Sequence, residues 1–135
     1  MKIINRSEYE ESTIFENIYE VDCFQKEFEQ VTSEKIENKN GRYHKWLRKQ
    51  LNFLDEYGMN ALQFENFEVL KNTNPKLYAI RYPHSIVNPR IIFFYYDGDK
   101  VCLLHAFKET SKKSSSEYDN AIKIAENRIK LIYNK

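Results

Sequence analysis

Two dense runs of β-branched and aromatic residues, Arg90–Asp97 (RIIFFYYD) and Lys100–Lys108 (KVCLLHAFK), meet at Asp97-Gly98-Asp99. An Asp-Gly step between such runs is a hairpin signal, because glycine accepts the positive φ that a tight antiparallel turn demands. Any fold of this chain must be built around that hairpin. A third run, Lys76–Tyr82 (KLYAIRY), precedes it across the loop Pro83–Pro89 (PHSIVNP). Three strands with short connections predict an antiparallel meander over 76–108.

The first half has another period. Ile14–Val21 alternates apolar and polar residues and reads as a strand. Asp22 is then placed to cap a helix whose positions Phe24, Phe28, Val31 and Lys35/Ile36 recur at helical spacing. A second helix runs from Gly41, with Tyr43, Trp46, Leu47, Leu51 and Leu54 on one stripe, to Gly58 at a left-handed cap. The turn Asn38-Lys39-Asn40-Gly41 would join the two as a helical hairpin over about 22–57. After the meander, Ser114-Ser115-Ser116-Glu117 offers a capping box for a helix carrying Tyr118, Ala121, Ile122, Ala125, Ile129 and Ile132. The expected fold class is α+β: a strand and helical hairpin, a three-stranded antiparallel meander, and a C-terminal helix.

One domain, residues 1–135, suffices for this order, since no linker, repeat or low-complexity tract divides the chain. With 41% hydrophobic and 15% aromatic residues it can bury a core, which excludes a disordered or fibrous chain. Two cysteines, Cys23 and Cys102, are too few for a disulfide framework or a zinc cage. No apolar run approaches the roughly 20 residues a bilayer span needs, and Met1–Arg6 lacks a secretory signal's apolar core. The expectation is a cytoplasmic protein without a membrane partner.

Net charge is only +1, but residues 1–70 carry nine basic and fourteen acidic side chains, and residues 71–135 twelve and six. A basic half suits an anionic partner; an uneven scatter of solvated surface charge is the plainer reading. Topology sharpens the first. The Pro83–Pro89 loop returns the chain, so Arg81 and Arg90 fall at one edge of an antiparallel pair, and Lys108, ending the third strand, falls beside them. Lys112 and Lys113 follow. Cations so gathered suit a phosphate chain, unless each sits solvated and apart. His105, alone in an apolar strand, is most simply a buried, hydrogen-bonded residue. The tyrosines at 78, 82, 95, 96 and 118 serve mainly in packing, with Tyr82 the candidate to stack on a base. No set of His and acidic residues has metal-ligand spacing, and no Gly-rich phosphate loop or nucleophile elbow is present, so no metal and no cofactor is expected.

Leu77-Tyr78-Ala79-Ile80-Arg81, then Arg90-Ile91-Ile92-Phe93-Phe94, then Val101-Cys102-Leu103-Leu104-His105-Ala106-Phe107-Lys108 resemble the pattern of RelE/HigB-type toxins of type II toxin–antitoxin modules, in particular the phage-derived HigB-like branch. The resemblance runs from about Phe64 to Ile132 and rests on the order and spacing of the elements together. Two departures stand out. Ala79 replaces the usual Glu beside the arginine, and Glu109 follows Lys108 where a second lysine is common, which weakens the local positive field.

The resemblance implies a RelE-like fold and an mRNA endoribonuclease acting on translating ribosomes without a metal. Its partners would be mRNA, the ribosome and a cognate antitoxin of helix-turn-helix type. In such a reaction the ribose 2′-OH attacks the adjacent phosphate, so a base must take its proton and cations must stabilise the phosphorane. By this resemblance Arg81 and Arg90 are the transition-state stabilisers, and Lys108, Lys112 and Lys113 hold the backbone or assist proton transfer. His105 is an acid or base candidate whose strand position favours a structural role. Two alternatives stay open: a ParE-like gyrase inhibitor without chemistry, and a catalytically degenerate relative that binds protein only.

Overall fold

A computed structural model describes residues 1–5, 15–35, 41–83, 85–110 and 114–133. It is an α+β domain with a six-stranded sheet and three helices. In chain order these are β1 (Ile3–Asn5), β2 (Ile18–Val21), α1 (Phe24–Thr32), α2 (Arg42–Tyr57), a 3-10 turn (Gly58–Gln63), β3 (Phe67–Val69), β4 (Tyr78–Arg81), β5 (Pro89–Asp97), β6 (Lys100–Lys108) and α3 (Ser114–Tyr133). The sheet order is β1-β2-β6-β5-β4-β3. Strands β4, β5 and β6 form the antiparallel meander, and Gly98 takes φ +64° at its hairpin.

The arrangement departs from the sequence expectation in several places, each with a local cause. Three-residue strands β1 and β3 are added at the sheet's two edges, too short to leave an alternation in the sequence. The N-terminal strand starts at Ile18 because the Asn17 N–H is taken by Asp55 Oδ1 at 2.8 Å; Ile14 lies outside the described residues. Strand β2 runs parallel to β6, from Ile18 opposite Val101 to Glu20 opposite Leu103.

Asp22 does not cap α1, whose N-cap is Cys23 without a side-chain bond; its carboxylate instead accepts from the Lys2 N–H at 3.4 Å, tying β1 down. The two N-terminal helices exist, but α1 packs chiefly on β6. Its link to α2 is at the ends, where the Glu34 carboxylate accepts from the Tyr43 and His44 N–H groups. Of the turn at 38–41, only Gly41 lies within the described residues. Gly58 ends α2 at φ +56° but ψ −129°, so the chain leaves into a 3-10 turn instead of a left-handed cap. In α3, Glu117 reaches back past the helix start and accepts from the Thr110 N–H at 2.8 Å and its hydroxyl at 3.1 Å.

The core joins Phe24 and Phe28 of α1, Leu47, Leu51 and Leu54 of α2, the inner strands, and Ala121, Ala125 and Ile129 of α3. No helix among the described residues is long and apolar enough to cross a membrane.

Candidate functional site

Register decides which candidate residues meet. Arg81 is the cross-strand partner of Arg90, and Arg90 that of Phe107. Cross-strand partners share a face, so the three stand in one row across β4, β5 and β6. His105, two residues before Phe107 and opposite Ile92, lies on the same face, diagonal to Arg90. The His105 and Phe107 rings lie nearly parallel, at 8° and 5.8 Å. Lys108 pairs with Pro89, one step out of phase with that row, and is exposed at the strand end. It borders two clefts, one with His105, Phe107, Glu117 and Asn120, the other with Ser85, Asn88 and Thr110.

The two arginines differ in their surroundings. Arg90 is 4% exposed; its Nε donates to Glu109 Oε2 at 2.7 Å, its Nη2 is ion-paired with the same oxygen, and its Nη1 donates to the Pro89 carbonyl at 3.3 Å. Glu109, noted in the sequence as a departure, is therefore the buried arginine's counter-ion. Arg81 is half-buried, its backbone N–H held by the Asn66 carbonyl at 2.8 Å, and its enclosed Nε has no hydrogen-bond partner among the described residues. A guanidinium N–H enclosed without an acceptor is costly. Tyr118 of α3 stands edge-on to Phe107 at 5.2 Å and donates its hydroxyl to Glu68 at 2.8 Å. Burial first, then the bond to Glu68, pushes its pKa up.

His105, 7% exposed, is joined to residues that sequence reasoning missed. Glu27 of α1 and Arg128 of α3 form a two-pronged pair, Nη1 to Oε1 at 2.8 Å and Nη2 to Oε2 at 2.9 Å. Glu27 Oε1 also accepts from His105 Nδ1 at 2.7 Å and from the Ala106 N–H at 2.9 Å. Burial alone would raise the Glu27 pKa, but the bonds from His105 and Arg128 outweigh it and hold it at about 2.

A backbone need explains the cluster. Pairing with β2 ends at Leu103, leaving the next stretch of β6 edge open. Leu104 also has no partner in β5, since Ile92 pairs with His105 and Phe93 with Leu103. Arg128 Nη1 donates to the Leu104 carbonyl at 2.7 Å while Glu27 takes the Ala106 N–H, so two side chains stand in for a missing strand. The one sequence signal for Glu27 was its place three residues after Phe24 on the flank of an apolar helix face.

Tyr82 is engaged elsewhere. It stacks on Trp46 (5.0 Å, 17°), meets Tyr43 edge-on, and its hydroxyl accepts from Arg42 Nε at 3.0 Å. Lys112 and Lys113 lie outside the described residues. The structure thus brings Arg81, Arg90 and His105 onto one face, sets Lys108 at its end, and gives Tyr82 to the α2 aromatic cluster.

A family model described as phage derived protein Gp49-like (DUF891) matches residues 42–130, which holds both arginines, His105, Lys108 and Arg128 but not Glu27. Comparison with curated proteins and with solved structures returns no match. By this match over most of its length, the chain belongs to the Gp49-like phage-derived family, a family of toxin-like proteins of the RelE/HigB type.

Proposed function

We propose that this protein is the toxin of a type II toxin–antitoxin pair, of the HigB-like branch and RelE-like fold, and that it cleaves mRNA on translating ribosomes without a metal. The observation that carries the reading is the Arg81–Arg90 pair, in which Arg81 has no counter-ion among the described residues and lies on the face that also holds His105. Like charges directly opposite one another destabilise a sheet; Glu109 offsets the charge of Arg90, and an anion bound at Arg81 would offset the other. A phosphodiester fits, since a guanidinium fork grips two of its oxygens and stays charged at any working pH.

In the reaction the 2′-oxygen attacks phosphorus, His105 takes the 2′-hydroxyl proton, and Arg81 stabilises the phosphorane, while Arg90, buried and paired with Glu109, holds the strand row beside it. The 5′-oxygen leaves with a proton from the exposed ammonium of Lys108, yielding a 2′,3′-cyclic phosphate and a 5′-hydroxyl. The partners are then an antitoxin, mRNA and the ribosome.

The Arg90–Glu109 pair favours a second reading, a degenerate relative that binds protein without chemistry, because one of the two cations is already neutralised. Induced expression separates them. The proposal expects growth arrest with loss of intact mRNA, relieved by Arg81→Ala in protein that keeps its circular dichroism spectrum. Arrest that persists in the folded Arg81→Ala variant, or arrest with mRNA intact, overturns it.

A further inference from the structure

We infer that Glu27, from the N-terminal segment outside the family match, is a positioning residue that fixes His105 as the Nδ1–H tautomer and so presents Nε2 to the cleft as the proton acceptor. The inference rests on the proposed ribonuclease function. The Glu27 carboxylate takes the Ala106 N–H and two Arg128 N–H groups, and His105 Nδ1 stands 2.7 Å from Oε1. An ionised carboxylate only accepts, so the proton on that bond belongs to Nδ1. Arg128 Nη1, 3.3 Å from Nδ1, is a donor that a bare Nδ1 could accept from, but it already donates to Glu27 Oε1 at 2.8 Å and to the Leu104 carbonyl at 2.7 Å, and the 2.7 Å contact of Nδ1 with Oε1 is the shorter one.

With Nδ1 so committed, Nε2 of the neutral ring is an acceptor. It has no partner among the described residues, and His105 lines the cleft of about 220 Å³ with Phe107, Lys108, Asn120 and Ile124. Phe107 lies nearly parallel to the imidazole and the Glu27–Arg128 pair holds its other end, so ring and tautomer are fixed together. Three elements thereby converge on one nitrogen: α1 supplies the carboxylate, α3 the guanidinium that keeps it in place, and β6 the imidazole. A base prepared in this way needs no reorganisation when the 2′-hydroxyl arrives.

Glu27 also satisfies the β6 backbone, so loss of activity on its removal would not by itself separate positioning from folding. The test therefore reads the imidazole directly. Long-range ¹H–¹⁵N correlation spectra of the full-length protein at neutral pH report which ring nitrogen carries the proton. Wild-type protein should show His105 protonated at Nδ1 and bare at Nε2, and Glu27→Gln should move it toward the Nε2–H form. On an mRNA-programmed ribosome, Glu27→Gln should lower kcat about 100-fold with KM little changed. In a His105→Ala background it should cost nothing further, because the two act as one unit.

An Nε2–H tautomer in wild-type protein that cleaves RNA overturns the inference. So do equal losses from Glu27→Gln with and without His105. Wild-type protein that shows the Nδ1–H tautomer yet cleaves nothing overturns the ribonuclease function instead, and with it the catalytic meaning of the dyad.

Discussion

Arg81 and Arg90 face one another across β4 and β5, but only Arg90 has a carboxylate partner among the described residues. Their substitutions should separate accordingly. Arg90→Ala strands the half-buried Glu109 carboxylate and should cost about 2 kcal/mol of stability, read by urea denaturation. Arg81→Ala removes an unpartnered group, should leave stability nearly unchanged, and should lower cleavage about 100- to 1000-fold. Equal destabilisation by both would contradict this division. Glu27 gives a pH signature. Its folded pKa of about 2 lies below the ordinary value of 4.5, so its contribution is fully present above the unfolded pKa and is lost as pH falls through the folded one. Roughly 3 kcal/mol should therefore disappear between about pH 5 and pH 2. In Glu27→Gln that part of the pH dependence should be missing.

At the scale of elements, two glycines with similar φ make different demands. At Gly58, φ +56° combines with ψ −129°, and an added Cβ would stand 3.0 Å from Asp99 Oδ1. At Gly98, φ is +64° and nothing lies within 4 Å of such a Cβ. Gly58→Ala should cost about 2–3 kcal/mol and Gly98→Ala about 1 kcal/mol, a difference visible in their melting temperatures. The meander and α3 were legible in the sequence because period and turn chemistry are local: Asp97-Gly98-Asp99 set the hairpin, and the stripe from Ala121 to Ile132 set the helix. Strands β1 and β3 were not, because three residues cannot show a period of two. Nor was the unpaired edge of β6, which depends on where β2 stops; Glu27 and Arg128, 101 residues apart in the chain, answer that non-local need from two helices. The adjacency of Arg81 and Arg90 could be read from the Pro83–Pro89 loop, whereas the commitment of Glu109 to Arg90 needed coordinates.

Across the whole molecule, the acidic first half and basic second half meet at the face that carries the candidate site. Glu27 comes from the first, and both sheet arginines, His105 and Arg128 from the second. Among the described residues the face holds paired charges with Arg81 and, at its end, the exposed Lys108 left without a counter-ion, suited to a single phosphodiester more than to broad nucleic-acid coating. The direct measurement is the chemistry of the ends made when purified protein acts on mRNA-programmed ribosomes. The wild type should produce fragments ending in a 2′,3′-cyclic phosphate with 5′-hydroxyl partners, and Arg81→Ala should leave the message whole. Intact mRNA in the presence of folded wild-type protein, or fragments ending in a free 3′-hydroxyl, would contradict an account in which the 2′-hydroxyl is the nucleophile.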